Sequence, residues 1–334
     1  MKLSEQNLKL LNKIPEFDQI FSFQSLLKSW QEFKKRKSDK ADVANFASNL
    51  ISNLYALHSD IMNGNYKHGG YTQFKISDPK PRDIHKASVR DRVVHHALYR
   101  AFYQYFDSRF IYDSYACRDN KGHHLAVKKL ASMVRNEGDS DRRTVWILKC
   151  DIKKFFASVD NKILSNILHD RIKNYLVMDV INEVLNSFKP GLPLGNLTSQ
   201  LFGNVYMNEL DQYIKNVLRI RSYIRYADDF IILSRNKAWL EELLPKIGDF
   251  LKEELALDLH ADKIFIKTIS SGMDFLGWIN FTNHRVLRTK TKKRLLKAME
   301  NNPSLAVRNS YLGLLKHGNS HRLRTMLEFH RALS

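Results

Sequence analysis

The chain has 334 residues, with 54 Lys and Arg against 35 Asp and Glu, a formal net charge of +19 and 43% hydrophobic residues. That composition excludes wholesale disorder, and its two cysteines, Cys117 and Cys150, exclude a disulfide scaffold and a four-cysteine zinc site. No apolar h-region opens the chain and no apolar run reaches about 18 residues, so a cleaved signal and a membrane span are not expected; a cytoplasmic protein with a polyanionic partner is.

Residues 1–64 read as helical: Val43, Phe46, Leu50, Leu54, Leu57 and Ile61 recur at spacings of three and four, and Gly64 follows as a stop. Lys34–Lys37 reads as an exposed loop. From Tyr71, YTQFKIS alternates as a strand does, DPKPRD reads as a turn, and SVRDRVVHHALYRAFYQYF as a helix. A polar stretch covers 136–143. VWILKCD (145–151) is then a short apolar run that stops at an acid, which predicts a buried strand, and IKKFFASVDNKILSNIL predicts a helix. KPGLPLGN is a turn. LTSQLFGNVYMNELDQYI places Leu201, Val205, Leu210 and Ile214 on one helical face. SYIRY and FIILS are strands separated by Ala227-Asp228-Asp229, a tight hairpin. Residues 237–255 form an amphipathic helix, and KIFIKTI and DFLGWINF are further strands. Beyond about Arg288, three short basic helices break at Asn301–Pro303 and at Gly318. Residues 282–334 hold twelve Lys and Arg against Glu300 and Glu328, the footprint of a face that meets a polyanion or, more plainly, of a solvated tail. The centre thus reads strand, helix, helix, hairpin, helix, strands: an α+β layer with antiparallel strands on one side and helices on the other.

Three acids interrupt apolar strand contexts. Asp151 ends VWILKCD, and Asp228 and Asp229 sit in the hairpin. Singly, each reads as readily as a helix cap or a turn residue. Together, a strand end and a hairpin of one sheet can bring three carboxylates into mutual repulsion that cations relieve. Two divalent ions about 3.5–4 Å apart do so and also catalyse in-line phosphoryl transfer. Mg²⁺ is the natural ion, with Mn²⁺ as a substitute, because it takes oxygen ligands and completes its shell with substrate phosphates. The carbonyl of Ile152 is a further candidate ligand. The pairs His95–His96 and His123–His124 lack Cys or acidic partners at ligand spacing and read as solvated or satisfied histidines.

Seven segments, in order over about residues 71–280, resemble those of reverse transcriptases: KISDPKPRDIHKASVRDRVVHHALY, SYACRDNKGHHLAVKKL, LKCDIKKFFASVD, GLPLGNLTSQLFGNVYMNELDQ, YIRYADDFIILS, LALDLHADKIFIK and FLGW. The resemblance implies a right-hand polymerase, with N-terminal helices and fingers over 1–144. It implies a palm with a ferredoxin-like antiparallel sheet over 145–284, segment 161–200 contributing to fingers and palm, and a helical basic thumb over 285–334. It implies that Asp151, Asp228 and Asp229 bind the metal ions. Lys75 and Arg82 would hold the incoming triphosphate, and Lys263 would stand near the leaving pyrophosphate as a proton donor. Phe275-Leu276-Gly277-Trp278 would grip the primer end. Lys75 and Arg82 read otherwise as surface charges, and Phe275 and Trp278 as core. Phe156, five residues after Asp151, falls where the family gates against a ribose 2′-OH, or reads as a core phenylalanine.

Pro193-Leu194-Gly195 followed by Asn196-Leu197-Thr198-Ser199-Gln200 departs from the Pro-Gln-Gly and Ser-Pro of group II intron and retron enzymes. It resembles the reverse transcriptases of diversity-generating retroelements. That resemblance implies error-prone copying opposite adenine, with Leu194, Gly195 and Gln200 near the nascent pair. The implied partners are a template RNA with its primer and cDNA, dNTPs, and a small basic pentameric accessory protein. No RNase H, maturase or zinc endonuclease domain is expected after the thumb. A retron-like or phage-defence reverse transcriptase, or a non-catalytic RNA-binding protein on the same fold, are the other readings.

Overall fold

The computed structural model describes residues 14–77, 81–140, 142–301 and 304–329. They fall into two compact units: the chain up to Tyr112 with Ile152–Leu218 and Gly248–Leu259, and Asp113–Asp151 with Arg219–Ile247 and His260 onward.

The first unit is mainly helical. Its helices Phe17–Phe21, Phe23–Phe33, Ala41–Ser48, Leu50–Met62 and Val89–Asp107 bury Phe21, Leu26, Trp30, Phe33, Leu54, Leu57, Val93, Leu98 and Phe102. Side chains set several starts: Ser22 Oγ accepts from Ser25 N, Ser88 Oγ from Asp91 N, and Asn174 Oδ1 from Val177 N. The hairpin β1 (Tyr71–Ile76) and β2 (Arg82–Ala87) belongs to this unit. Residues 1–13 of the expected helical region lie outside the described residues, as do Asp78, Pro79 and Lys80 of the expected turn. Arg82 and Asp83 already belong to β2, a strand hidden in the sequence because RDIHKA does not alternate. The helix expected over IKKFFASVDNKILSNIL is interrupted. Lys154 is left-handed (φ 47°), a single turn spans Phe155–Ser158, and Asp160 caps a new helix, Asn161–Arg171, by accepting from Lys162 N and Ile163 N. Helices Tyr175–Asn186 and Leu197–Gln212 follow.

The second unit holds a four-stranded sheet in the order β4 (Tyr223–Tyr226), β5 (Asp229–Ser234), β3 (Trp146–Asp151) and β6 (Phe265–Thr268), antiparallel throughout. Side chains alternate along β3, so Ile147, Lys149 and Asp151 share one face with their β5 partners Leu233, Ile231 and Asp229. Toward Ile147 that face is apolar and joins Val127, Leu130 and Val134 of the helix His123–Glu137 in one core; toward Asp151 it is charged. Asp229 opens β5 rather than sitting in the hairpin tip, which is Ala227-Asp228, with Ala227 left-handed (φ 57°).

DFLGWINF is not one strand. It folds back as β7 (Met273–Phe275) and β8 (Trp278–Asn280) because Leu276 and Gly277 take positive φ (52° and 88°), and β9 (Arg285–Leu287) completes a three-stranded sheet. Helices Thr289–Asn301, Leu305–Leu315 and His321–Phe329 end the described chain, with Asn302 and Pro303 outside it. Gly318 breaks the last two and lies flat on an indole: a Cβ there would meet Trp278 Cζ3 at 2.1 Å. Among the described residues no helix is long and apolar enough to cross a membrane.

Candidate functional site

Asp151 and Asp229 are direct cross-strand partners at the last rung of the β3–β5 ladder, and Asp228 precedes Asp229 in the hairpin. Two antiparallel strands thus hold two carboxylates face to face. Burial pushes the Asp229 carboxyl up to about 6, against the pull of the neighbouring Lys149 ammonium. Asp229 Oδ1 is buried without a hydrogen-bond partner, and Oδ2 lies 3.0 Å from Lys149 Nζ. On Asp151, Oδ1 lies 2.6 Å from Lys263 Nζ.

Lys263 reaches Asp151 because its turn is anchored there. His260 N donates to the Asp151 carbonyl at 2.8 Å, and the short helix Ala261–Lys263 follows at once. Lys149 was missed in the sequence. It bridges two parts of the unit, pairing with Asp229 while donating to the Asp274 carbonyl at 2.8 Å. The signal for it was available: a lysine two residues before Asp151 on a buried strand must share the carboxylate face.

An orphaned buried carboxylate oxygen opposite a second carboxylate fits a hard divalent cation. Among the described residues no three His, Cys, Asp or Glu side chains are arranged to hold an ion by themselves. Ile152, the candidate carbonyl ligand, is buried and bridges to Leu259. Phe275 and Trp278 are core side chains, so only the Leu276-Gly277 turn of the expected grip is available to a ligand.

The remaining candidates belong to the first unit. In the β1–β2 ladder Lys75 pairs with Asp83 and Arg82 with Ile76. The two exposed cations therefore leave the hairpin on alternate faces. Loop 194–196 lies along β2: His85 N donates to the Leu194 carbonyl at 2.9 Å, and Asn196 Nδ2 donates to the His85 carbonyl at 3.0 Å. Gly195 takes φ 106°, and a Cβ there would stand 2.6 Å from Ile84 Cγ2, so no other residue fits. Leu194 stays partly exposed and Gln200 exposed. Phe155 fills the core while Phe156, its ring 5.2 Å away, remains partly exposed.

Beneath this loop the sequence concealed a buried polar link. His95 Nδ1 is 2.5 Å from Thr198 Oγ1, and its Nε2 is 3.1 Å from His68 Nε2. Burial pushes His95 down to about 3, so it is neutral. His95 is thus a satisfied histidine, as its lack of ligand partners predicted.

The family described as reverse transcriptase (RNA-dependent DNA polymerase) matches residues 67–280. Protein YkfC of Escherichia coli is 24% identical over 304 residues, covering 78% of this chain and 78% of YkfC. The group II intron-encoded protein LtrA of Lactococcus lactis is 21% identical over 295 residues, covering 66% of this chain but 47% of LtrA. Among solved structures, apo telomerase from Candida tropicalis, truncated from its C-terminal domain, aligns with a TM-score of 0.50 at 11% identity, over 72% of this chain and 60% of that one.

Proposed function

The chain belongs to the reverse transcriptase (RNA-dependent DNA polymerase) family, and from that membership we propose that it copies an RNA template into DNA by nucleotidyl transfer from dNTPs. Its fold is α+β, of the right-hand polymerase class. The observation that carries the proposal is the facing pair Asp151 and Asp229, with one buried oxygen left without a partner. Fingers over 1–144, palm over 145–284 and thumb over 285–334 are part of the same proposal.

Asp151, Asp228, Asp229 and the Ile152 carbonyl would hold two Mg²⁺ or Mn²⁺ ions, which when bound supply Lewis-acid activation of the primer 3′-OH and neutralise the triphosphate. The protein's own groups do the rest. Lys75 and Arg82 receive phosphate charge, Arg as a fork and Lys as a point charge. Lys263 presents an ammonium proton toward the leaving pyrophosphate. Phe156 offers a 2′-OH neither room nor a hydrogen-bond partner, which favours dNTPs over rNTPs. The Leu276-Gly277 turn supports the primer end, and basic side chains after residue 285 run along the primer–template backbone, with a steep salt dependence.

The finer proposal is the error-prone enzyme of a diversity-generating retroelement, acting with a structured template RNA and a small basic accessory protein. Leu194 supports it, because an aliphatic side chain there gives the nascent pair no polar contact. LtrA's name points to intron-encoded enzymes as the competing subfamily. The test is primer extension by the full chain on its cognate RNA with Mg²⁺ and dNTPs, followed by sequencing of the cDNA. Extension lost in Asp228→Asn/Asp229→Asn supports the polymerase. Substitutions concentrated opposite template adenines support the finer reading, and faithful copying overturns it.

A further inference from the structure

We propose that Thr198, His95 and His68 are positioning residues that lock the segment 194–200 to the base of the β1–β2 hairpin, so that the side chains near the nascent pair and the cations that receive the triphosphate move as one body. This rests on the polymerase reading above. It adds three side chains that are closed off from solvent and act through the groups they hold.

Asp91 and His95 stand four apart on the helix Val89–Asp107 and so share one face. Asp91, itself buried, accepts from Tyr66 Oη at 3.0 Å and from Gly69 N at 3.0 Å, which pins the segment that carries His68. His68 N donates to Glu183 Oε1 at 3.0 Å, on helix Tyr175–Asn186. The His68 ring meets His95 Nε2 at 3.1 Å, and His95 Nδ1 meets Thr198 Oγ1 at 2.5 Å in the first turn of helix Leu197–Gln212. Burial pushes His95 down to about 3, so its ring carries a single proton. The Gly69 carbonyl can only accept, so His68 Nδ1 donates to it, at 2.6 Å. In a neutral His68 ring Nε2 is then the acceptor, which makes His95 Nε2 the donor and leaves His95 Nδ1 to accept from the Thr198 hydroxyl. The hydrogen bonds from Thr198 to Gly69 thus run in one direction.

The line ends at the hairpin. Tyr71, the first residue of β1, stacks on the His68 ring at 5.0 Å. It donates its hydroxyl to Ser187 Oγ at 2.8 Å, because Ser187 gives its own proton to the Val184 carbonyl. On the other strand His85 N donates to the Leu194 carbonyl, and the His85 ring lies 4.6 Å from Phe188, which also meets Tyr71. The hairpin is therefore tied at its base on both strands, through Tyr71 to His68 and through His85 to the segment 194–196. Lys75 and Arg82 stand at the other end of the ladder, on the rungs Lys75–Asp83 and Ile76–Arg82, and take their placement from that base. Buried hydrogen bonds in series reinforce one another, and a misplacement of about 1 Å is enough to slow a group transfer. Loss of one hydroxyl should thus be felt at both the segment 194–200 and the hairpin.

The test is Thr198→Val, which keeps the shape and removes the hydroxyl, beside Thr198→Ser, which keeps the hydroxyl, and Tyr71→Phe, which keeps the ring. Single-nucleotide extension by the full chain on a short RNA–DNA primer–template gives KM for the dNTP and kcat separately. Thr198→Val is expected to raise KM about tenfold with kcat within about threefold, Tyr71→Phe to raise KM about fourfold, and Thr198→Ser to stay within about twofold of the parent. Because the two sites share His68, Thr198→Val/Tyr71→Phe should raise KM about tenfold, not the roughly fortyfold of independent sites. An unchanged KM in Thr198→Val, a Thr198→Ser enzyme as impaired as Thr198→Val, or single effects that multiply in the double variant overturns the proposal. Hydrogen exchange of the free protein is the second readout and needs no activity. Thr198→Val should speed exchange over both 194–200 and 82–87, and faster exchange confined to 194–200 overturns the coupling. Tyr71→Phe, the milder change, should show the same pattern and decides the matter where Thr198→Val does not fold. A parent that extends no primer would sink the polymerase reading, while the exchange result would still decide the network.

Discussion

Asp151 and Asp229 face each other across two hydrogen-bonded strands, each with a lysine on its carboxylate, whereas the segment Pro193–Asn196 is tied to His85 by the Leu194 carbonyl and the Asn196 side-chain amide. In the first region the side chains carry the charge and the backbone is an ordinary ladder. In the second the backbone is unusual, with Gly195 at φ 106° over Ile84, while the Leu194 side chain is only partly covered. As the proposed metal ligands, neither carboxylate in the ladder could change without a ligand being lost. Leu194 can change without disturbing its own tether, because the tether is its carbonyl. Under the proposed function, the ladder would fix the chemistry and the loop would leave accuracy adjustable.

The sharpest way to break that contrast is at the ladder. Asp229→Asn keeps the shape and removes the charge, so extension is expected to fall about a thousandfold, or about 4 kcal/mol, with the melting temperature nearly unchanged. Rapid-quench extension and a thermal melt check it together. A loss of only a few-fold would deny the facing pair its role. Lys149→Met comes next. It removes a charge-assisted contact to Asp229 and a donor to Asp274, a group worth about 2 kcal/mol, so kcat is expected to fall about 30-fold. Lys149→Arg should recover part of the loss; a fall matched by equal unfolding would make Lys149 merely structural.

The ladder was largely legible because an apolar run that stops at an acid, and a hairpin with two acids, are one-dimensional signals. Lys149 was equally present in the sequence, yet its meaning depends on the register that places it beside Asp229 and against Asp274, more than a hundred residues away. The loop region was less legible. β2 does not alternate, since exposed Arg82 and Asp83 lead into partly covered residues, and nothing local announces that His85 will bond both Leu194 and Asn196. Likewise Thr198–His95–His68 is assembled from three separate segments, and only packing reveals it. DFLGWINF misled for a physical reason: its alternation is real on either side of Gly277, but the glycine permits a reversal that alternation cannot register.

Phe156→Val probes the loop side at smaller amplitude. Phe156 is partly exposed beside buried Phe155, so shortening it opens space without emptying the core. Preference for dNTPs over rNTPs, measured as a ratio of kcat/KM, is expected to drop about tenfold while dNTP use changes little, since excluding a hydroxyl from an apolar pocket is worth about a hundredfold at most. An unchanged ratio would return Phe156 to an ordinary packing role.

Leu194→Gln should have the smallest effect on rate and the most specific one on product. The carbonyl of Leu194 accepts from His85 N and Gly195 keeps its φ, so the substitution leaves the loop path intact. A glutamine amide adds a donor and an acceptor where the leucine had neither, and a correctly paired base can satisfy them better than a mispaired one. A contact of that kind is worth about 1 kcal/mol, so misincorporation opposite adenine should fall about fivefold while kcat on matched substrate stays within about twofold. Sequencing of cDNA made by both enzymes on one template reads the first quantity, and single-turnover extension reads the second. A large fall in kcat would mean that Leu194 belongs with the carboxylates as part of the fixed chemistry. An unchanged error spectrum would mean that accuracy is set by other residues around the nascent pair, and the two regions would then differ in construction but not in what they control.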